Sequence, residues 1–431
     1  MTDPVALLTR RAVLTWCTLA AGLGLLGGGL AGCGASGSTL VKAEVGRRPA
    51  DQDAADGAVT AVADFSRDLL RALADDANLV CSPFSVLVVL AMVRNGATGV
   101  TAREMDQALH LPDLAALNAG LNAVGQTLAS RSGSRRDAHD GKAKVELSVV
   151  QQVWGDQQDV WQPAFLDTLA ADYGTGVRTS DIAGNPEAAR QTVNDWVADA
   201  TADRITEVLP SGSVNEMTRL ILANALYVKA PWHEKLDPVG TQPFQTPQGP
   251  VSAEMLKVTL TAGGRRGSDW TTACLPLAGQ DLALTVVLPD GTPADLLRRV
   301  TGAELVDLLR PTKSSVDVTM PAFTFRSRFS LPEVLHTLGM TRAFSDEAEL
   351  AGLTATEPLR VARVEHQGWI AVDQDGLEAA AATAATVEAT SALLPQVKLV
   401  LDRPFLFIVH DVALRLPLLV GIVADPAATG D

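Results

Sequence analysis

The chain changes its hydrophobic period partway along. Between Ala58 and Ala74, apolar residues recur at helical spacing at Val62, Phe65, Leu69, Leu70 and Leu73, which predicts an amphipathic helix. Residues 81–96, CSPFSVLVVLAMVRNG, predict a turn and then a fully buried helix ending at Gly96. Thr101 to Glu104, TARE, has the spacing of a capping box and predicts another helix start. Asn185 followed by Pro186 predicts a further one, with asparagine as cap and proline in the first turn. The second half is β-rich. RLILANALYVK (219–229), LALTVVLPD (282–290), VDVTMPAFTF (316–325), LRVARVEHQGWIAVD (359–373) and RPFLFIVHD (403–411) are strand-like runs broken by turn residues. No internal repeat or second linker divides them. Helices concentrated first and strands later predict one large α+β domain.

One run fits neither period. DQDGLEAAAATAATVEATSA (373–392) is alanine-rich and precedes a short apolar stretch. Alanine favours a helix, and low complexity favours a tether, so local pattern leaves both readings open.

The N-terminus reads as an export segment. Arg10 and Arg11 precede the apolar, glycine-rich run Ala12 to Leu30, which ends in LAGC at Leu30 to Cys33. A charged start, a hydrophobic middle and a small-residue exit make a signal peptide over 1–32, and the arginine pair suits twin-arginine export. A retained membrane helix is the other reading, since the run is nearly long enough to span. LAGC resembles a bacterial lipobox, which implies cleavage before Cys33 and lipid on its thiol. Residues 33–59 are polar, small and aperiodic, so they read as a flexible tether before a domain over 60–431. An extracellular or cell-envelope location, lipid-anchored to the membrane, follows as the expectation.

Composition narrows the chemistry. With 47% hydrophobic and 20% charged residues the balance is that of a globular protein. A net charge of −15 argues against a nucleic-acid partner. Beyond Cys17 and Cys33, only Cys81 and Cys274 remain, which is no disulfide framework; both are expected to be buried free thiols. None of the six histidines forms HExxH or another close metal pairing. No GxSxG elbow, Walker loop or dinucleotide fingerprint is present. Asp373 and Asp375 flank a turn and read as turn chemistry, not as an acid/base pair. Ser82, His366 and Asp373 could be drawn as a hydrolytic triad, but SPFS lacks the strained turn that exposes such a serine. No residue is therefore expected to be catalytic or to hold a metal or cofactor.

NLVCSPFSVLVVLAMVRNGATGVTAREM (78–105), TRLILANALYVKAPW (218–232), LTVVLPD (284–290), LGMTRAFS (338–345), the run 375–384 and RPFLF (403–407) resemble serpin segments, in serpin order. The likeness runs from about residue 60 to GIVADP (421–426). It implies the serpin fold: α+β, helices with three β-sheets, the largest central, and an exposed reactive-centre loop. It implies a monomer that inhibits a serine protease as a suicide substrate. The protease forms a covalent acyl complex with the loop, which then inserts into the sheet as an extra strand. Such a mechanism needs no catalytic group from this chain, so the chain is expected not to be an enzyme. By the same resemblance Ser82, Ser85, Asn224 and His366 form a shutter beneath the large sheet, and Trp232 sits at its upper end, the breach. A non-inhibitory serpin, acting as a protease substrate or binding protein, is the alternative.

An inserting strand needs small side chains, because large ones overpack a closed core. The hinge Gly376, Leu377, Glu378, Ala379, Ala380, Ala381, Ala382 and Thr383 meets that need except at Leu377, where the family has a small or β-branched residue. Leu377 is expected to slow insertion without abolishing it. Family spacing places the cut at Thr390-Ser391, with Leu393 as the alternative site. No Arg or Lys occurs from Gly376 to Gln396, so an elastase-like or subtilisin-like target is expected. The ion pair that often holds the top of the family's sheet is missing, since Gln374 and Ala322 occupy its positions.

Overall fold

The computed structural model describes residues 37–429, except 112, 262, 311, 356–358 and 379–394. The chain divides into units Met1–Ser36 and Gly37–Asp431, and all described residues belong to the second. The signal segment, Cys33, the loop residues Ala379, Ala380, Ala381, Ala382 and Thr383, and the Thr390-Ser391 bond lie outside the described residues.

Among the described residues the strands form three sheets. The largest runs in the order Ser38–Val41, Val177–Ser180, Lys142–Asp156, Leu220–Pro231, Gly376–Leu377, Arg363–Val372, Phe323–Ser330, with Gly133–Arg136 paired to Lys142–Asp156. A second contains Leu79–Cys81, Leu416–Val423, Phe405–Asp411, Leu282–Pro289, Trp270–Pro276 and Gly264–Arg266. The third contains Val397–Val400, Val316–Pro321, Gly249–Leu260 and Asp237–Thr246. This is an α+β assembly built on one large sheet.

Helix Pro83–Arg94 forms where expected. Ser82 caps it by accepting the Ser85 amide, Pro83 opens its first turn, and every residue from Pro83 to Val93 is buried. Its Phe84, Leu87 and Leu90 share one core with Leu222, Leu226, Val228 and Ala230, the inner face of strand Leu220–Pro231. The outer face, with Ile221, Ala223 and Ala225, packs against Ala189, Val193 and Val197 of helix Pro186–Ala200. That helix starts as expected, with the Asn185 side chain accepting the Ala188 amide at 3.3 Å. With both faces covered, the central strand is apolar apart from Asn224, Tyr227 and Lys229 and lacks alternation.

Four expectations are corrected. The tether over 33–59 fails from residue 38 onward: Ser38–Val41 pairs antiparallel with Val177–Ser180. Arg47 donates to Asn122 at 2.9 Å, Arg48 pairs with Asp172 at 3.0 Å, and helix Gln52–Leu73 begins well before Ala58. An edge strand needs only a neighbour's free backbone groups, which composition does not reveal. The first half also holds a long strand, Lys142–Asp156, whose polar residues hide its period. VDVTMPAFTF is two strands in different sheets, parted at Ala322. The capping box at Thr101–Glu104 does not form. Helix Gly99–Ala108 starts at Thr98, Glu349 accepts the Thr101 amide at 3.1 Å, and Glu104 accepts the Thr341 amide at 2.8 Å. A distant carboxylate has replaced the local one.

Candidate functional site

Strands Leu220–Pro231 and Arg363–Val372 run parallel and pair directly only over 221–225 and 363–367. At their other end the two-residue strand Gly376–Leu377 lies between them, antiparallel to both. Gly376 faces Pro231, and Leu377 faces Ala230 on one side and Val372 on the other. Two strands closed at one end and wedged apart at the other by the tip of a third define a slot.

The closed end is held by a polar cluster. Ser82, Ser85, Asn224 and His366 are all fully buried. The Ser82 amide donates to His366 Nε2 at 2.8 Å, so that nitrogen is the acceptor and the ring proton is on Nδ1. Nδ1 then donates to Asn224 Oδ1 at 2.6 Å, and the Ser82 hydroxyl reaches Ser85 Oγ at 3.0 Å. Burial lowers the His366 pKa to about 4, which keeps the ring neutral. Phe329 stacks on its face with centroids 6.4 Å apart. All four residues expected at the shutter meet here. The register explains why: Asn224 and His366 are direct partners across the parallel pair, above the capped start of the helix.

Ser82, His366 and Asp373 do not align as a triad. His366 receives the Ser82 amide, not its hydroxyl, and its other nitrogen faces Asn224. Asp373 instead accepts the amides of Asp375 at 2.7 Å and Gly376 at 3.0 Å, closing the turn into the wedge. Among the described residues, no group of three His, Cys, Asp or Glu side chains is placed to hold a metal. Cys81 is fully buried, and its thiol is pushed up to about 12 by burial; Cys274 is only partly covered.

At the open end Trp232 is buried beside the turn. Its indole Nε1 donates to the Asp373 carbonyl at 2.8 Å, and its amide to the Asp375 carbonyl at 3.0 Å. Lys235 pairs with Asp375 at 2.8 Å. Gln374 and Ala322 make no ion pair and line a cavity of about 420 Å³. Gly376 has φ +154, and a Cβ there would stand 2.3 Å from the Ala230 carbonyl oxygen, so only glycine enters the slot at this point. Leu377 is 2% exposed and belongs to the main core. The residue expected to resist entry is therefore already inside in the intact chain. Glu378 follows in the left-handed region at φ +47, with its amide donating to the Ala371 carbonyl at 3.2 Å and its carboxylate paired with Arg204.

Sequence reading missed Lys235 and Arg204. Their partners lie 140 and 174 positions away, and no local spacing announces either pair.

Comparison with known proteins is consistent with this architecture. The family model described as Serpin (serine protease inhibitor) matches residues 60–426. The leukocyte elastase inhibitor of Bos taurus is 30% identical over 390 residues, covering 84% of this chain and 97% of that protein. An uncharacterised serpin-like protein of Thermococcus kodakarensis is 30% identical over 376 residues, 85% of each chain. The solved native-state structure of tengpin, a thermophilic serpin, is similar with a TM-score of 0.78 at 24% identity. It covers 90% of this chain and 99% of that one. The expectation that the chain is not an enzyme is corrected by the family match, which gives it a family activity instead. The family is described by a positive activity, serine protease inhibition, and no catalytic activity of its own is shown.

Proposed function

This chain belongs to the serpin family, and we propose that it inhibits a serine protease as a suicide substrate whose cleaved loop fills the slot. The single observation that carries this reading is the Gly376–Leu377 wedge, antiparallel to two strands that are otherwise parallel neighbours. Continuing its register sets residue 379 between Val228 and Ile370, residue 381 between Leu226 and Gly368, and residue 383 between Asn224 and His366. All three positions face the inner core. The sequence supplies Ala379, Ala381 and Thr383 there, small enough to enter.

The protease serine attacks the Thr390 carbonyl, the Ser391 amine leaves, and an acyl-enzyme remains on Thr390. Insertion must then part the pairing of 221–225 with 363–367, breaking the 2.6 Å bond between His366 and Asn224. Thr383 arrives at that rung with a hydroxyl that can replace the lost partner. The exposed-loop state is a kinetic trap, and the added strand releases the free energy that drags the protease with it.

A small residue at 390 and the absence of Arg or Lys nearby favour an elastase-like or subtilisin-like target. The name of the bovine relative, a leukocyte elastase inhibitor, supports the first. We further propose that the chain is a bacterial lipoprotein, exported by its first 32 residues and anchored by lipid on Cys33. Its inhibition would then protect the cell envelope.

The test is incubation of the mature domain with pancreatic elastase and with subtilisin, followed by denaturing gels. An SDS-stable complex of summed mass is expected. Cleaved chain alone with every protease would overturn inhibition and leave a substrate or binding role. Mass spectrometry of the membrane fraction, with Cys33→Ser as control, decides the anchor.

A further inference from the structure

We propose that Arg204 is a positioning residue for loop insertion, holding the hinge on the first rungs of the slot through Glu378. This role presupposes the insertion mechanism proposed above. Arg204 lies just beyond helix Pro186–Ala200, which covers the outer face of the large sheet. Ala202 and Asp203, with φ of +50 and +61, turn the chain back, and the Asp203 and Arg204 amides bond to the carbonyls of Ala198 and Thr201 at 2.9 and 3.1 Å. The guanidinium is thereby fixed to the end of the covering helix. It lies 5.5 Å from the ring centroid of Trp369, on one wall of the slot, and pairs with the Glu378 carboxylate. On the other wall the Tyr227 phenol is pushed up by burial and then by that carboxylate. One side chain therefore joins the covering helix, a wall of the slot and the hinge.

The pair matters because of where Glu378 stands. Its amide already bonds to Ala371, so it occupies the first rung below Leu377. Its left-handed φ is unfavourable for a residue with a side chain and favours release of the hinge from the slot. Arg204 opposes that release. The next outward position in register, 380, must pass between Tyr227 and Trp369, directly beneath the pair. With the hinge held, insertion extends an existing ladder; with the hinge out, it must first re-form one, against the entropy of closing the loop.

The experiment compares Arg204→Gln, Arg204→Lys and the charge-swapped Arg204→Glu/Glu378→Arg with the wild type in the full mature domain. The loop is cut with thermolysin, which forms no acyl-enzyme, and insertion is followed by Trp369 fluorescence against a Trp369→Phe blank. Stoichiometry of inhibition is measured separately with elastase. Insertion in Arg204→Gln is expected to slow by about five-fold, a factor in keeping with a half-exposed ion pair. Arg204→Lys should keep most of the rate, the swap should recover it, and the stoichiometry should rise only in Arg204→Gln. An unfolded Arg204→Gln is detected by its melting temperature, and Arg204→Lys with the swap then carries the comparison. Insertion of Arg204→Gln at or above the wild-type rate, or a swap no better than Arg204→Gln, overturns the role. A wild type that inserts but traps no protease overturns inhibition while leaving Arg204 decided by fluorescence. A cleaved wild type that never inserts overturns both.

Discussion

Replacing Ala379 with arginine tests the insertion register most directly. In the intact chain Leu377 faces Ala230 and Val372, so residue 379 would enter two rungs deeper, facing Val228 and Ile370. These are 5% and 3% exposed and belong to the core beneath the sheet. An arginine there brings a charge into that core with no acidic partner at the rung, a penalty of several kcal/mol. Its excess volume adds roughly 1–3 kcal/mol. Even about 3 kcal/mol on the insertion barrier slows the step by roughly 150-fold. Deacylation, unchanged by the substitution, then wins the competition. The assay is a denaturing gel of the variant with elastase, paired with melting temperatures of the intact and cleaved forms. Cleaved chain without SDS-stable complex is expected, together with loss of the thermal gain that cleavage gives the wild type. Complex yield equal to the wild type, or a cleaved variant that still gains full thermal stability, would refute the register and the mechanism built on it.

Other outcomes follow from the same geometry. Leu377→Ala removes a core side chain that is 2% exposed in the intact chain and should lower unfolding stability by about 2–3 kcal/mol in denaturant titrations; an unchanged midpoint would place Leu377 outside the slot. His366 and His410 are fully buried with pKa values lowered from 6.5 to about 4, so only the unfolded chain takes up their protons between those values. Their stability contribution is complete above about pH 6.5 and is lost as the pH falls toward 4, on the order of 3 kcal/mol per histidine. Denaturation midpoints at pH 7 and pH 5 measure this, and a flat profile would contradict it. Thr390→Arg should redirect inhibition from elastase to trypsin, read as complex formation on gels; trypsin complex in the wild type as well would move the cut elsewhere.

Part of this protein was legible along the chain. The apolar run 83–93, its serine cap and its proline at the first turn specify a buried helix through contacts within a few residues, and the structure keeps it. Asn185 and Pro186 do the same for the covering helix. Runs such as 282–290 and 403–411 announce strands because burial on both faces demands mostly apolar residues. Resemblance to the family named the residues at the closed end of the slot, and Ser82, Ser85, Asn224 and His366 do fall together there.

What the sequence by itself determined was therefore the local elements, the α+β class and the small side chains of the loop. Tertiary structure alone decided which distant groups became partners. It drew Ser38–Val41 onto a sheet edge, gave the helix start at Thr98 the carboxylate of Glu349, split one strand-like run at Ala322, and seated Leu377 inside the slot. It also set Lys235 on Asp375 and Arg204 on Glu378. The physical reason is range. Periodicity and capping act over a few residues and leave a trace in their order, whereas edge pairing and the neutralisation of half-buried charge depend on which groups the finished fold brings within about 3 Å of one another.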